Sequence, residues 1–278
     1  MTAVQKKRPA QRSGGGLWSA VKWTIAIGAA GALSGVFLLI FVFAYIYQQL
    51  PSIDVLTDYR PKVPLRVWSA EGRLIGEFGE ERRDFVRIAD VPKHVKDAIL
   101  CAEDDGFYEH HGIELMGIAR AAIVNVLTGR RGQGGSTITM QVARNFFLTT
   151  ERSYTRKLYE IAMSFKIENE LTKDQILEIY MNQIYLGQRA YGFEAAAKTY
   201  FGRPLAEISV GEAATIAGLP VAPSAYNPIV NPTRATMRRN YVLRRMYDLG
   251  RIDELTYQTE KSLPMEVRRA VETNAVKT

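Results

Sequence analysis

Glu103-Asp104-Asp105-Gly106-Phe107-Tyr108-Glu109-His110-His111-Gly112 places four carboxylates and two of the chain's three histidines within nine residues. An apolar-periodic segment leads into it (Val95, Ala98, Ile99, Ala102) and another leaves it (Ile118, Ala122, Ile123, Val126). The stretch therefore reads as a turn between two helices. Carboxylates crowded at the end of a buried helix repel one another and lose solvent, which raises at least one pKa. A carboxylate tuned in that way serves as a general base. An acidic surface turn explains the same residues, and the stretch alone leaves both readings open.

The chain's 278 residues, 47% hydrophobic and 23% charged, suffice for one large domain or two small ones. Its net charge of +7 resembles that of a nucleic-acid binder until it is located. Lys6, Lys7, Arg8, Arg12 and Lys22 precede residue 23 with no acid among them, and the other 31 basic side chains face 29 acidic ones. No nucleic-acid partner is expected from that balance. The single cysteine, Cys101, excludes an internal disulfide and a Cys-rich metal site; it reads as a small buried hydrophobe.

From Trp23 to Tyr47 there is no charge, long enough for a helix to cross a bilayer. Trp18 and Trp23 at one end and Tyr45 and Tyr47 at the other form aromatic belts. The Lys/Arg cluster ahead of it predicts a cytoplasmic N-terminus, with everything after Gln48 outside. A cleaved signal peptide ending near Ala30-Gly31-Ala32 competes, but it would leave the apolar run Val36 to Tyr47 on the mature N-terminus. The expected organisation is a disordered basic tail over 1–22, a transmembrane helix over 23–47, and a linker with a small β-hairpin over 48–90. A helical domain over 91–250 and an extension over 251–278 follow. The hairpin rests on Leu65-Arg66-Val67-Trp68 and Leu74-Ile75-Gly76-Glu77-Phe78 around Ala70-Glu71-Gly72.

Helical periodicity covers 92–103, 113–128, 137–147, 155–170, 173–183, 190–200, 210–218 and 233–248. Thr172 with Gln175 and Ser209 with Glu212 make capping boxes. Pro232 suits a first helical position, and Gly202 and Gly250 suit C-terminal stops. Four further stretches exceed what a bundle needs. Gly132 to Gln141 is a glycine-rich loop entering a helix, which suits an anion but lacks P-loop spacing. Arg144-Asn145 and Arg156-Lys157-Leu158-Tyr159-Glu160 supply either a structural i,i+4 pair or a cationic clamp for a diphosphate. Phe146-Phe147-Leu148 between them reads as core or as a membrane-dipping triplet. Lys173 to Gly187 reads mostly as packing, and Gly211 to Leu219 as close helix contact followed by a proline-punctuated wall.

Taken in order, these stretches resemble the peptidoglycan glycosyltransferases, the family-51 domain of class A penicillin-binding proteins and monofunctional transglycosylases. The likeness runs from about Ala98 to Tyr226 over five motifs. The family pattern E-D-x-x-F-x-x-H-x-G stands as Glu103 to Gly112, G-G-S-T-I-T-Q-Q as Gly134 to Gln141 with Met140 departing from a Gln, and R-K-x-x-E as Arg156, Lys157 and Glu160. The fourth is Lys173–Gly187, and the fifth lies in Ala195–Leu219. The resemblance implies a mainly α, lysozyme-like glycosyltransferase domain with a small β-hairpin, preceded by a single transmembrane helix. It implies that lipid II is polymerised on a growing glycan strand, with inversion and release of undecaprenyl diphosphate.

By the same resemblance Glu103 is the general base and Glu160 the second catalytic carboxylate. Arg144, Arg156 and Lys157 match diphosphate-binding cations, Ser136, Thr137, Gln141 and Asn145 line the cleft, and Asp104, Phe107 and His110 shape the first motif. A divalent cation (Mg or Mn) on the diphosphate is expected, with no fixed protein ligands and no organic cofactor. The expected partners are lipid II, the glycan strand, the bilayer and other wall-synthesis proteins, at the cytoplasmic membrane with the domain outside. The segment from Leu219 to Ile252 resembles the passage toward a transpeptidase domain, so the chain is expected to be the N-terminal part of a bifunctional protein. Two rivals stand beside this reading: a muramidase-like hydrolase on the same fold, and a non-catalytic membrane scaffold.

Overall fold

The computed structural model describes residues 15–57, 65–72, 74–78, 81–114, 116–117, 135–147 and 154–267. The chain divides into two compact units, Met1–Gln49 and Leu50–Thr278. The first is one helix, α1 (Gly15–Gln48). Its stretch Val21–Gln48 has a mean hydropathy of 2.5 and is exposed along nearly its whole length, Ile46 being buried near its end. Twenty-eight residues at ~1.5 Å each cover more than the ~30 Å hydrocarbon core of a bilayer. The helix begins eight residues before the expected start at Trp23, so the tail over 1–22 is helical from Gly15 onward. Nothing between Leu17 and Trp23 breaks a helix, and Lys22 places its ammonium 5.8 Å from the Trp18 ring. Residues 1–14 lie outside the described residues.

The second unit opens with a helical turn, α2 (Asp54–Thr57), where an extended linker was expected. Leu50, Ile53 and Leu56 are buried here, which gives the turn its reason. The expected hairpin is present: β1 (Leu65–Trp68) runs antiparallel to β2 (Leu74–Phe78), with a register shift between Val67 and Trp68. Gly72 takes φ +77° in the connection, a region open to glycine. A second, unexpected strand pair joins β3 (Arg82–Arg83) in parallel to β4 (Ala190–Tyr191). It shortens the helix predicted over 190–200. Gly192, at φ +88°, has backbone atoms of Asn182 3.0 Å from where a Cβ would sit, and the helix starts only after it.

The helices of this unit are α3 (Lys93–Glu103), α4 (Ile138–Phe147), α5 (Tyr154–Glu170), α6 (Lys173–Gln183), α7 (Phe193–Phe201), α8 (Val210–Ala217), α9 (Pro232–Asp248) and α10 (Glu254–Ser262). The mainly α expectation is met. The helix predicted over 113–128 lies almost wholly outside the described residues. Both capping boxes form, on α6 and α8, and Gly202 and Gly250 end α7 and α9 at φ +72° and +66°.

Two packed groups make the core: α3, α8 and α9 on one side, α4, α5 and α6 on the other. Val95, Ala98 and Ile99 of α3 and Ala213, Ala214 and Ala217 of α8 are fully buried, and short side chains let these helices approach closely. Gly218 marks the limit, since a Cβ there would meet Arg238 Cγ at 2.7 Å. Periodicity missed α10, a mostly polar helix started by Asp253, which accepts from Thr256 N–H at 2.8 Å. The stretch beyond residue 250, read as an extension, packs back onto the domain. Glu260 accepts from Gly211 N–H at 3.1 Å, and buried Arg239 donates to the carbonyls of Leu263 and Lys261 at 3.0 and 3.2 Å.

Candidate active site

The acidic turn is fastened from below. Asp104 leaves the helical conformation directly after α3, and its carboxylate accepts from the Ile138 N–H at 2.9 Å, capping α4. The same carboxylate holds His110 Nε2 at 3.0 Å. Thr137 donates to the Gly112 carbonyl at 2.6 Å and accepts from the Met140 N–H at 3.2 Å. Phe107 is fully buried, edge-on to His110 at 6.2 Å, with the Lys173 ammonium 4.5 Å from its ring centre. Asp104, Phe107, His110 and Thr137 thus hold the turn against the glycine-rich entry to α4, with their side chains packed into the protein. Glu109 faces solvent, and Asp105 pairs with Arg245 at 3.1 Å.

Glu103 sits at the C-terminal end of α3 with its carboxylate turned toward α4. Gln141 Nε2 donates to its Oε2 at 2.8 Å. Oε1 is buried without a hydrogen-bond partner among the described residues. Burial pushes the Glu103 pKa up to about 7; the Gln141 hydrogen bond and the charge of Arg238 oppose the rise, and Asp104 adds to it. Arg238 comes from α9, its Nε donating to the Gly218 carbonyl at 3.3 Å and its guanidinium 4.7 Å from the Tyr241 ring centre. Cys101, two residues earlier, is buried, and loss of solvent pushes its thiol up to about 11, which keeps it an inert core residue.

Glu160 lives in the opposite surroundings. It is fully buried near the start of α5 and ringed by three cations. Arg144 Nε and Nη2 reach its two oxygens at 2.8 and 3.2 Å, Lys157 Nζ reaches Oε2 at 2.9 Å, and Arg156 Nη1 lies 3.3 Å from Oε1. Burial alone would raise its pKa; the bonds and charges of Arg144 and Lys157 outweigh burial and hold it below the usual value. Ser136 Oγ accepts from Lys157 at 2.8 Å and from Arg144 at 3.3 Å. One carboxylate against three cations leaves a surplus of positive charge, the electrostatic complement of a diphosphate.

Helix α4 joins the two clusters. Gln141 and Arg144, three residues apart and so on one face, hold the Glu103 and Glu160 ends respectively. Ser136 precedes the helix, and Asn145 is exposed on it. Met140, where the family pattern has Gln, is fully buried, so this side chain packs into the core. Phe146 and Phe147 are half-buried, and Leu148 lies outside the described residues. Sequence reading missed Arg238 and Tyr180, both electrostatically coupled to Glu103. The first lies in a helix with many arginines, the second in a helix whose apolar spacing reads as packing.

Residues 71–247 match the family model described as Transglycosylase, well over half of the chain. The chain belongs to the transglycosylase family. Penicillin-binding protein 1A of Neisseria flavescens is 53% identical over 221 residues, 80% of this chain and 28% of that protein. Penicillin-binding protein 1A of Pseudomonas aeruginosa is 48% identical over 256 residues, 92% of this chain and 30% of that protein. A crystal structure of Penicillin-Binding Protein 1A from Haemophilus influenzae aligns with a TM-score of 0.45 at 32% identity, over 76% of this chain and 22% of that one. The chain thus spans less than a third of the length of these relatives. Both clusters fall inside the transglycosylase match, so the two carboxylates and their cations belong to the family's glycosyltransferase domain.

Proposed function

We propose that this transglycosylase domain polymerises lipid II into peptidoglycan strands, with Glu103 as general base. The carboxylate takes the proton from the 4-hydroxyl of the acceptor's GlcNAc. That oxygen bonds to the anomeric carbon of the strand bound as donor, with inversion. The bond from that carbon to the diphosphate oxygen breaks, its electron pair leaves on undecaprenyl diphosphate, and the proton on Glu103 passes to solvent. Arg144, Arg156 and Lys157 bind the diphosphate and neutralise the charge that develops on it. Glu160 holds those cations in place, and Ser136, Gln141 and Asn145 lie along the same cleft.

The observation that carries this reading is the contrast between the two carboxylates, tied together by α4. A group poised near 7 can take a proton at neutral pH, and one pinned as an anion under three cations cannot give one. Diphosphate leaves without being protonated, so cations serve where a hydrolase needs its second carboxyl. With both oxygens engaged and no exposed surface, Glu160 is a poor candidate for the nucleophile of a muramidase. The apolar helix α1 suits an enzyme whose substrate carries a lipid tail. On this reading the chain crosses the cytoplasmic membrane once, with its basic N-terminus inside. A divalent cation would ride on the substrate's own oxygens. The Glu160 oxygens are already taken, and no group of three or more His, Cys, Asp or Glu suited to a metal occurs among the described residues.

Incubation of the full chain with labelled lipid II and, separately, with purified sacculi tests the assignment. Polymer formed from lipid II with intact sacculi is the expected result. Degraded sacculi without polymer would establish the hydrolase, and neither activity would leave the scaffold reading.

A further inference from the structure

Tyr180 lies in the last turn of α6, fully buried, and near enough to Glu103 and Asp104 for their charges to act on its phenol. Its ring packs 6.3 Å from Phe193 of α7, so the side chain is held on its apolar body. Its hydroxyl is buried without a hydrogen-bond partner among the described residues. The other buried side-chain oxygen without a partner among the described residues is Glu103 Oε1. One atom is a donor and the other a charged acceptor, each costly to leave alone in a dry interior. They share one electrostatic environment: burial first, and then the negative charges of Glu103 and Asp104, drive the phenol well above its ordinary value. The phenol therefore keeps its proton throughout the working range and is available as a donor.

We propose that Tyr180 is a positioning residue for the base, its hydroxyl supporting Glu103 Oε1 through one bridging water, as Gln141 donates directly to Oε2. The proposal rests on Glu103 being the base. Two donors, one per oxygen, fix the plane of the carboxylate. Each oxygen keeps a second lone pair, so the acceptor hydroxyl can still be received. The charged groups facing Glu103 are Asp104 from the end of α3 and Arg238 from α9. Gln141 of α4 and Tyr180 of α6 are neutral donors, and the buried residues of α8 carry no charge. Asp104 is engaged by His110 and Ile138, and Arg238 by Gly218, so neither fills the place of the phenol.

A donor to a carboxylate favours the ionised form, so its removal raises the pKa of the base. The test is the pH–rate profile of lipid II polymerisation by the full chain, for wild type, Tyr180→Phe and a protein carrying 3-fluorotyrosine at position 180. The rate should rise with pH through the ionisation of the base. Tyr180→Phe should move that acid limb up by about one pH unit and lower kcat at neutral pH about fivefold, with KM within about twofold. The fluorinated phenol, a stronger donor of nearly the same volume, should move the limb down. A purely structural tyrosine would change the rate equally at all pH values. Limbs that coincide in all three proteins would overturn the role of Tyr180 while leaving the base intact. A wild-type profile without an acid limb, or polymerisation by Glu103→Gln, would remove the base reading itself and this inference with it.

Discussion

Glu103, with one oxygen buried, and Glu160, fully buried, are two carboxylates reached from one helix face, and they are built for opposite states. Among the described residues Glu103 has one neutral donor and an unpartnered oxygen, and its pKa is pushed up to about 7. Glu160 has three cations, no unpartnered oxygen and a pKa held below the ordinary value. Burial acts on both in the same direction, so burial does not explain the difference. Neighbouring charge does. Two copies of one side chain have their pKa values driven in opposite directions because α4 and α5 bring arginine and lysine to one of them only.

The largest effect should come from breaking the counter-ion. Glu160→Gln leaves Arg144, Arg156 and Lys157 packed around a neutral amide, which costs about 3 kcal/mol. It should lower Tm by several degrees in calorimetry and weaken polymerisation at every pH. An unchanged Tm would mean that Glu160 is no buried counter-ion.

The second effect separates the two groups by sign. Glu103 has a folded pKa of about 7 against an ordinary 4.5, so the folded state binds more protons across that window. Stability contributed by this group therefore falls as pH rises from about 4.5 to 7, and the deficit persists above that. Glu160, shifted the other way, stabilises above its ordinary value, and that stability is lost as pH falls through its folded pKa. Glu103→Gln should melt about 5 °C above wild type at pH 8 and converge with it near pH 4.5, since a neutral amide escapes the desolvation of the charge. Parallel curves for the two proteins would contradict the raised pKa.

The smallest effect tunes the base without removing it. Gln141→Ala deletes a donor to the ionised form, so the acid limb of the rate profile should rise by about one pH unit. Activity at pH 7 should fall about fivefold and recover at higher pH. A loss that persists at high pH would make Gln141 a substrate contact instead.

Much of this was legible in the chain, for identifiable reasons. The apolar run of α1, the capping boxes and the stops at Gly202 and Gly250 are local physics, and the structure follows them. Within the extension beyond residue 250, α10 left no periodic signal because it is held by distant partners, Gly211 and the Arg239 side chain. The strand pair of Arg82–Arg83 with Ala190–Tyr191 joins segments far apart in sequence, and periodicity assigned half of it to a helix. At the site, Glu103, Glu160 and their cations carry motif spacing. Arg238 and Tyr180 meet the charge of Glu103 across the fold, so spacing holds no trace of them. Thr137, expected to line the cleft, and Asp104, expected to shape the first motif, also tie the turn to α4, a detail carried by hydrogen-bond partners alone.

The central claim is that Glu103 is the proton acceptor of glycan polymerisation. Polymerisation of labelled lipid II by Glu103→Gln, alongside its thermal unfolding, tests that claim most directly. The account predicts a fall of at least about a hundredfold in rate from a protein that folds and melts no lower than wild type. Polymerisation near the wild-type rate would contradict it. So would a variant that loses its fold, because the acidic turn would then be a structural element and not the catalytic one.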